Sequence, residues 1–409
     1  MPLHTNGEMP YVAGNSVSAR GMSPERSTAS SCPVCRSAAL GAFFDAPRMP
    51  VLCNQLWPTR EAARRAPAGD IRLSWCRACG HLFNAAFDPD SISYTSAYDN
   101  ALHFSPRFRA YAEEVAAHLV ERYALRGKTV VEIGCGDGYF LQLLCEGGRN
   151  RGVGFEPSGT PQTPAAGSVT LIPDAFSDRH AGYRPDLVCC RQVLEHVPQP
   201  TDFLRDLRRT LGDGSRAALF FEVPNGLYML GELAVWDVIY EHPSYFTPAS
   251  LAHAFAAAGF GVRSVTEGFG RQFLCVEAAA TGPAVHDLAA PTTGGVAAFA
   301  QRAGEREAMV REQLGHARGL GQRAIVWGAG SKGVTLLNRL GVRDQVEYVV
   351  DVNPRKQDRF IPGTGQRVVA PGFLREYQPH LILLPNPIYA EEVQQQVRSL
   401  GVTAKLICV

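Results

Sequence analysis

Short apolar runs recur through the middle of the chain, each followed by a stretch whose apolar residues return at helical spacing. Thr129–Ile133, Gly152–Phe155, Val169–Ile172, Leu187–Cys190 and Ala217–Val223 read as strands, and helical patterns fall from Tyr139, over Thr201–Leu211 and over Pro248–Ala258. This alternation predicts right-handed crossovers and a parallel, doubly wound α/β sheet. Ahead of it, residues 107–126 place Phe108, Tyr111, Val115, Leu119 and Val120 at helical spacing. Behind it, Val262–Thr266 and Phe273–Glu277 read as an added terminal pair of strands. A Thr/Gly/Pro-rich stretch, 281–295, predicts a linker. A long helix from Val296 to Leu320 follows, and then a second strand–glycine–helix unit. That unit comprises Ala324–Trp327, the turn Gly328–Gly333, Val334–Leu340 and Tyr348–Asp351, with Leu381–Leu384 and Lys405–Cys408 as further strands.

The first 30 residues are rich in Ser, Gly, Pro and Met without periodicity, which predicts a disordered tail. From Ser31 to His81 a cysteine-bracketed segment carries Pro47, Pro50, Pro58 and Pro67 and no long helical pattern. Composition narrows the class. Forty Lys plus Arg balance 39 Asp plus Glu, a net charge of +1, so no overall field favours nucleic acid or an acidic membrane. No apolar run approaches the roughly 20 residues that span a bilayer, and no secretory pattern opens the chain. The expected compartment is the cytoplasm.

The eleven cysteines include two close pairs, Cys32/Cys35 and Cys76/Cys79. Two-residue spacing lets both thiolates of a pair reach one ion at about 2.3 Å, and two pairs complete a tetrahedron with no open position. The expected ligand is therefore a structural Zn2+; independent reduced thiols or a redox pair are the alternatives. Cys53, between the pairs, reads as a packed thiol.

Residues 130–138 read VVEIGCGDG, a buried strand followed by a glycine turn that opens a helix. Glu132 precedes Gly134-Cys135-Gly136, and Glu156 ends the next strand, a placement that suits ribose hydroxyls. Phe140-Leu141 occupies the region of a dinucleotide motif's third glycine, so a phosphate-free nucleoside fits better than a pyrophosphate. A glycine turn without ligand is the bland alternative. The segment resembles the class I S-adenosyl-L-methionine-dependent methyltransferases. The resemblance implies that Gly134, Gly136 and Gly138 border the methionine part and that Glu156 holds the ribose. It further implies that Asp174-Ala175 meets the adenine and that Gln192-Val193 lines the other face. Glu132, Cys135 and Pro157 complete the expected cofactor contacts.

After the fifth strand, residues 236–248 form a dense polar–aromatic cluster where such folds place loops over the sheet's carboxyl edge. Glu241 and His242 are adjacent, with Tyr240 and Tyr245 beside them. An imidazole can remove a proton at neutral pH, and proton loss next to a carbonyl leaves an enolate carbon ready for a methyl group. A merely structural histidine is the alternative. In sequence order the three parts resemble the sugar C-methyltransferases of deoxysugar pathways, from Cys32 to Val409. Glu241, His242, Tyr245 and Phe246 match that family's Y-x-E-H-x-x-Y-F segment, with Ile239 in place of its Tyr and Tyr240 where a second His is common. The resemblance implies that His242 is base and Glu241 orients it or binds substrate. Tyr240, Tyr98 and His196 are implied enolate or hydroxyl partners, although His196 also reads as a helix-edge residue.

The C-terminal landmarks Gly328–Gly333, Asn338, Asp351, Asn353-Pro354, Lys356 and Pro362–Thr364 match the family too. Lys332 at a helix start suits phosphate oxygens; a degenerate unit that only covers the site is the alternative. Asn100, Asn225, Tyr245, Lys332 and Asn338 are the expected substrate contacts. The expected domains are a tail (1–30), a zinc-binding and substrate-capping domain (31–105), a methyltransferase domain (106–280), a linker (281–295) and a Rossmann-like domain (296–409). The expected activity is C-methylation of a small acceptor, in the family a nucleotide-linked ketosugar, by a monomer or homodimer. O- or N-methylation of a small metabolite, or an idle zinc- and nucleotide-binding partner protein, are the competing readings.

Overall fold

The computed structural model describes residues 29–159, 168–280, 282 and 288–409. Nearly all of the expected tail, and most of the first half of the expected linker, lie outside them.

The central sheet has seven strands. From one edge they run Gly261–Gly268, Phe273–Ala279, Ala218–Pro224, Leu187–Arg191, Thr129–Ile133, Arg151–Phe155 and Val169–Ile172. The last five pair in parallel, and Phe273–Ala279 joins antiparallel to Ala218–Pro224. Strands such as Leu187–Arg191 and Ala218–Pro224 are buried along almost their whole length, which is why they read as continuous apolar runs rather than alternating ones. The sheet is the class I methyltransferase fold that the sequence predicts. The helix expected over 107–126 spans Pro106–Arg122, started by a Ser105 cap that accepts the Phe108 N–H. It stops early because the chain turns left-handed at Ala124 (φ 49°).

The second unit is a five-stranded parallel sheet in the order Arg367–Val369, Val346–Val350, Ala324–Trp327, Leu381–Leu384, Lys405–Cys408. Its helix Thr293–Gly319 begins inside the expected linker, with Thr292 accepting the Gly295 N–H as cap.

The N-terminal part, where no strands were predicted, forms an antiparallel sheet of Leu40–Pro50, Ala68–Cys76 and Leu82–Asn84. Its fourth strand, Ser244–Tyr245, is donated by the loop that carries His242. Two hydrogen-bonded bridges, Gln55↔Tyr98 and Trp57↔Phe360, stitch the N-terminal part to the segment before the first long helix and to the C-terminal unit. Among the described residues no helix is long and apolar enough to cross a membrane.

Candidate active site

Two cavities open over the carboxyl edge of the central sheet. One, of about 700 Å³, is lined by Glu132, Gly134–Gly136, Glu156, Pro157, Gln192 and Val193. Gly134 and Gly136 sit at φ 68° and 54°, and a Cβ on Gly134 would stand 2.2 Å from Val193 Cγ2. Only glycine leaves the turn this shape. Glu156 accepts the Gly136 and Ser158 N–H groups at 3.1 and 3.0 Å, which fixes its carboxylate at the cavity wall. Glu132 is buried, its Oε2 has no hydrogen-bond partner among the described residues, and burial pushes its carboxyl up to about 8. A bare glycine cradle with an orphaned carboxylate behind it fits a ligand that carries a cationic amino group and a ribose, as S-adenosylmethionine does.

Asp174 and Ala175, expected at the adenine, are not brought to this wall. Arg179 grips the Asp174 carboxylate at 2.9 and 3.2 Å, and Asp174 also caps the Ala175 N–H, so its charge is already used. Gly138 is one step removed, supplying the left-handed start (φ 81°) of helix Tyr139–Gly148.

The second cavity, of about 220 Å³, lies between the methyltransferase sheet and the C-terminal unit. His242, Glu195, Asp237, Gln272 and Lys332 line it. Its wall is shared with the first cavity through Asn54, Tyr98, Asn100, Gln192, His196 and Lys356. Gln192 reaches this junction from the end of strand Leu187–Arg191 in a left-handed conformation (φ 55°), held by Glu222 through backbone and side-chain bonds of 2.8 and 3.2 Å.

The His242 and His196 rings meet edge to face, with centroids 4.6 Å apart. His196 Nδ1 lies 2.9 Å from the Glu241 carbonyl, which can only accept, so Nδ1 carries the hydrogen and Nε2 keeps its lone pair. Tyr94 Oη stands at the same Nδ1, also at 2.9 Å. Burial pushes His196 down to about 4 and His242 well below the usual imidazole value, so both rings are neutral near pH 7. Glu241 accepts the Cys53 N–H at 3.0 Å. Burial pushes its carboxyl up to about 7, against the pull of that amide, the Tyr98 hydroxyl and the Lys356 ammonium. Burial and the Glu241 charge raise the Tyr98 phenol far enough to keep it a donor.

Four expected residues turn away from the cavities. The Tyr240 hydroxyl takes the Asp88 N–H and meets Ser91 Oγ, both at 3.1 Å, and its ring fills the space that a Cβ on Gly69 would need. Tyr245 closes its own loop, donating to the Ile239 carbonyl at 2.8 Å and accepting the Ile239 N–H at 2.9 Å. Asn225 caps helix Gly226–Gly231 and donates to Glu267 and the Arg271 carbonyl. Asn338 donates to the Val334 and Pro362 carbonyls. These are braces around the site. Lys332 does line the second cavity, paired at 2.8 Å with Asp237. Glu195, Asn54 and Tyr94 are lining or supporting residues that the sequence reading missed; only Glu195, adjoining His196, carried a local signal.

The Sγ atoms of Cys32, Cys35, Cys76 and Cys79 lie within 4.8 Å of one another, with Cys32–Cys79 at 3.7 Å and Cys35–Cys76 at 3.5 Å. A tetrahedral ion with 2.3 Å bonds needs sulfur–sulfur edges of about 3.8 Å, whereas a disulfide needs about 2 Å. The four sulfurs fit the ion. The cluster packs with Phe246, Leu251 and Phe255 of the central domain, and Thr201 Oγ1 donates to the Val34 carbonyl at 2.9 Å.

Residues 108–265 match the methyltransferase domain family, and residues 286–408 match the C-methyltransferase C-terminal domain. The chain is 29% identical over 300 residues to the C-methyltransferase NovU of Streptomyces niveus, an alignment that covers 67% of this chain and 70% of the relative. It is 28% identical over 160 residues to the ubiquinone biosynthesis O-methyltransferase of Aeromonas salmonicida (35% of this chain and 66%, just under two thirds, of that protein). Magnesium protoporphyrin IX methyltransferase from Synechocystis, solved with bound S-adenosylhomocysteine, is 19% identical with a TM-score of 0.33, covering 42% of this chain and 83% of its own. The glycine cradle and the acidic strand ends agree with the two matched domains: the chain joins a methyltransferase domain to a C-methyltransferase C-terminal domain, as an S-adenosylmethionine-dependent methyltransferase.

Proposed function

We propose that the enzyme methylates a carbon next to the carbonyl of a nucleotide-linked ketosugar or a similarly activated ketone. The observation that carries this reading is the shared wall: Tyr98, Asn100, Gln192 and His196 border both cavities, so the cofactor and the acceptor meet beside His242. S-adenosylmethionine, when bound, supplies the sulfonium methyl that a nucleophilic carbon accepts. The chain's own residues prepare that carbon. Neutral His242 takes the proton, and the C–H electron pair moves toward the carbonyl oxygen. Tyr98 and His196 position the acceptor, and the ionised Glu241 carboxylate steadies the imidazolium that forms. The start of helix Ser331–Leu340 also lines this cavity, and its backbone N–H groups would receive phosphate oxygens, with Lys332 held beside them by Asp237. Zinc in the four-cysteine cluster is part of the proposal, as a structural ion; four thiolates kept reduced suit a cytoplasmic enzyme.

Incubation with methyl-labelled S-adenosylmethionine and a panel of nucleoside diphosphate-linked ketohexoses tests the reading by mass spectrometry. One ketosugar should gain a single labelled methyl. Label appearing only on phenolic or amine acceptors would favour the O- or N-methylation alternative instead.

Acidity gives a second check. The Glu241 carboxyl is raised to about 7 by burial, so the folded protein holds this proton up to that pH. Because the anion is the working form, kcat/KM should fall as pH drops through about 7 and level off above it. Glu241→Gln should flatten that limb at a lower rate. A wild-type profile without an acid limb near 7 would remove the carboxylate from this role. The stability sign runs the opposite way: a carboxyl raised on folding stabilises least at high pH, so the apoprotein loses stability as pH rises from the usual carboxyl range through 7.

A further inference from the structure

We propose that Lys356 holds the oxyanion formed when the acceptor loses its proton: its ammonium, buried in the wall shared by the two cavities, donates a hydrogen bond to the acceptor's carbonyl oxygen as charge moves onto it.

Lys356 is 5% exposed. Its Nζ bonds to two neutral oxygens, Asn54 Oδ1 at 3.2 Å and the Ala329 carbonyl at 3.4 Å, and it makes no ion pair among the described residues. An ammonium has three N–H groups, so one is left for a ligand. Burying a cation with no carboxylate in hydrogen-bond contact is costly, and an anion arriving during function offsets that cost. Lys332 provides the contrast: it lines only the acceptor cavity and is already neutralised by Asp237 at 2.8 Å.

Location decides which anion Lys356 serves. It borders both cavities in company with Tyr98 and His196, and it is close enough to Glu241 to pull that carboxyl toward its ionised form. Negative charge develops on the acceptor at this junction. When His242 takes the proton, the C–H pair becomes the new carbon–carbon π bond and the carbonyl π pair moves onto oxygen. Lys356 keeps its own proton throughout. A fixed cation aimed at that oxygen in a water-poor wall costs no reorganisation when the charge appears.

This role rests on the ketone reading above, and the test separates the two. Enzyme saturated with S-adenosylhomocysteine is placed in deuterium oxide with each member of the nucleoside diphosphate-ketohexose panel. NMR follows exchange of the carbon-bound hydrogen for deuterium, with no methyl transfer involved. Wild type should exchange one position of one sugar. Lys356→Met should slow that exchange by about 10²–10³-fold, typical for loss of one oxyanion donor. Its titrated affinities for the sugar and for S-adenosylhomocysteine should stay within a few-fold, which also reports that it is folded. Lys356→Arg, which keeps the charge, should recover part of the rate even if Lys356→Met proves unstable. Unchanged exchange in Lys356→Met, a loss explained wholly by weaker sugar binding, or no recovery in Lys356→Arg would overturn the role while the ketone reading stands. Absence of exchange by wild type on every sugar would instead bring down the ketone reading, and this role with it.

Discussion

His242→Ala should lower turnover by about 10²–10⁴-fold while S-adenosylhomocysteine still binds as tightly as to wild type. The ring lines the second cavity, edge-on to His196, and is not among the residues that line the cofactor cavity. Removing the ring therefore deletes the proposed base and leaves the glycine cradle intact. Parallel calorimetric titration and turnover measurements separate the two effects. Turnover unchanged in the variant would show that another group takes the proton.

The second large effect concerns the four cysteines. Native protein should contain close to one zinc per chain, as four thiolates closing one tetrahedron require. Replacing Cys32 and Cys76 together by Ser should remove the ion, lower the melting temperature and abolish most turnover. The reason is mechanical. The cysteine cluster anchors the sheet whose third strand, Leu82–Asn84, pairs with Ser244–Tyr245 at its edge, so the loop bearing Glu241 and His242 hangs on that sheet. In zinc-finger peptides the ion supplies about 10–16 kcal/mol; here tertiary contacts such as Thr201 to Val34 retain part of the fold. Metal analysis with a parallel melting curve checks this, and metal-free native protein of full stability would refute it.

The parts of the fold legible from sequence share one physical property: their pattern is local. Val130–Ile133, Gly152–Phe155 and Leu187–Cys190 are buried on both faces of a parallel sheet, so each shows as an unbroken apolar run. The glycine turn is legible because Gly134 and Gly136 must take left-handed conformations there. The N-terminal sheet is not legible. Its first strand carries irregularities between Ala42 and Phe44 and between Ala46 and Met49, and Arg48 sits at φ 55°, so the two-residue alternation is lost. A two-residue strand such as Ser244–Tyr245 has no period to detect.

At the site, residue type was a better guide than neighbourhood. His242, Glu241, His196 and Tyr98 gather at one junction, yet Tyr240 and Tyr245, equally near in sequence, are claimed by Asp88 and by Ile239. Adjacency along a loop does not say which way a side chain turns. Asp174 illustrates the same limit, because Arg179, five residues on, takes its charge first. The link between Asn54 and Lys356 spans 302 positions and exists only where the N-terminal part meets the C-terminal unit.

The most direct test of the central claim is where the methyl ends up. Product made with carbon-13-labelled S-adenosylmethionine and the ketosugar that the enzyme accepts should give an NMR methyl signal coupled to a ring carbon next to the carbonyl. A labelled methyl bonded to oxygen or nitrogen would contradict the account.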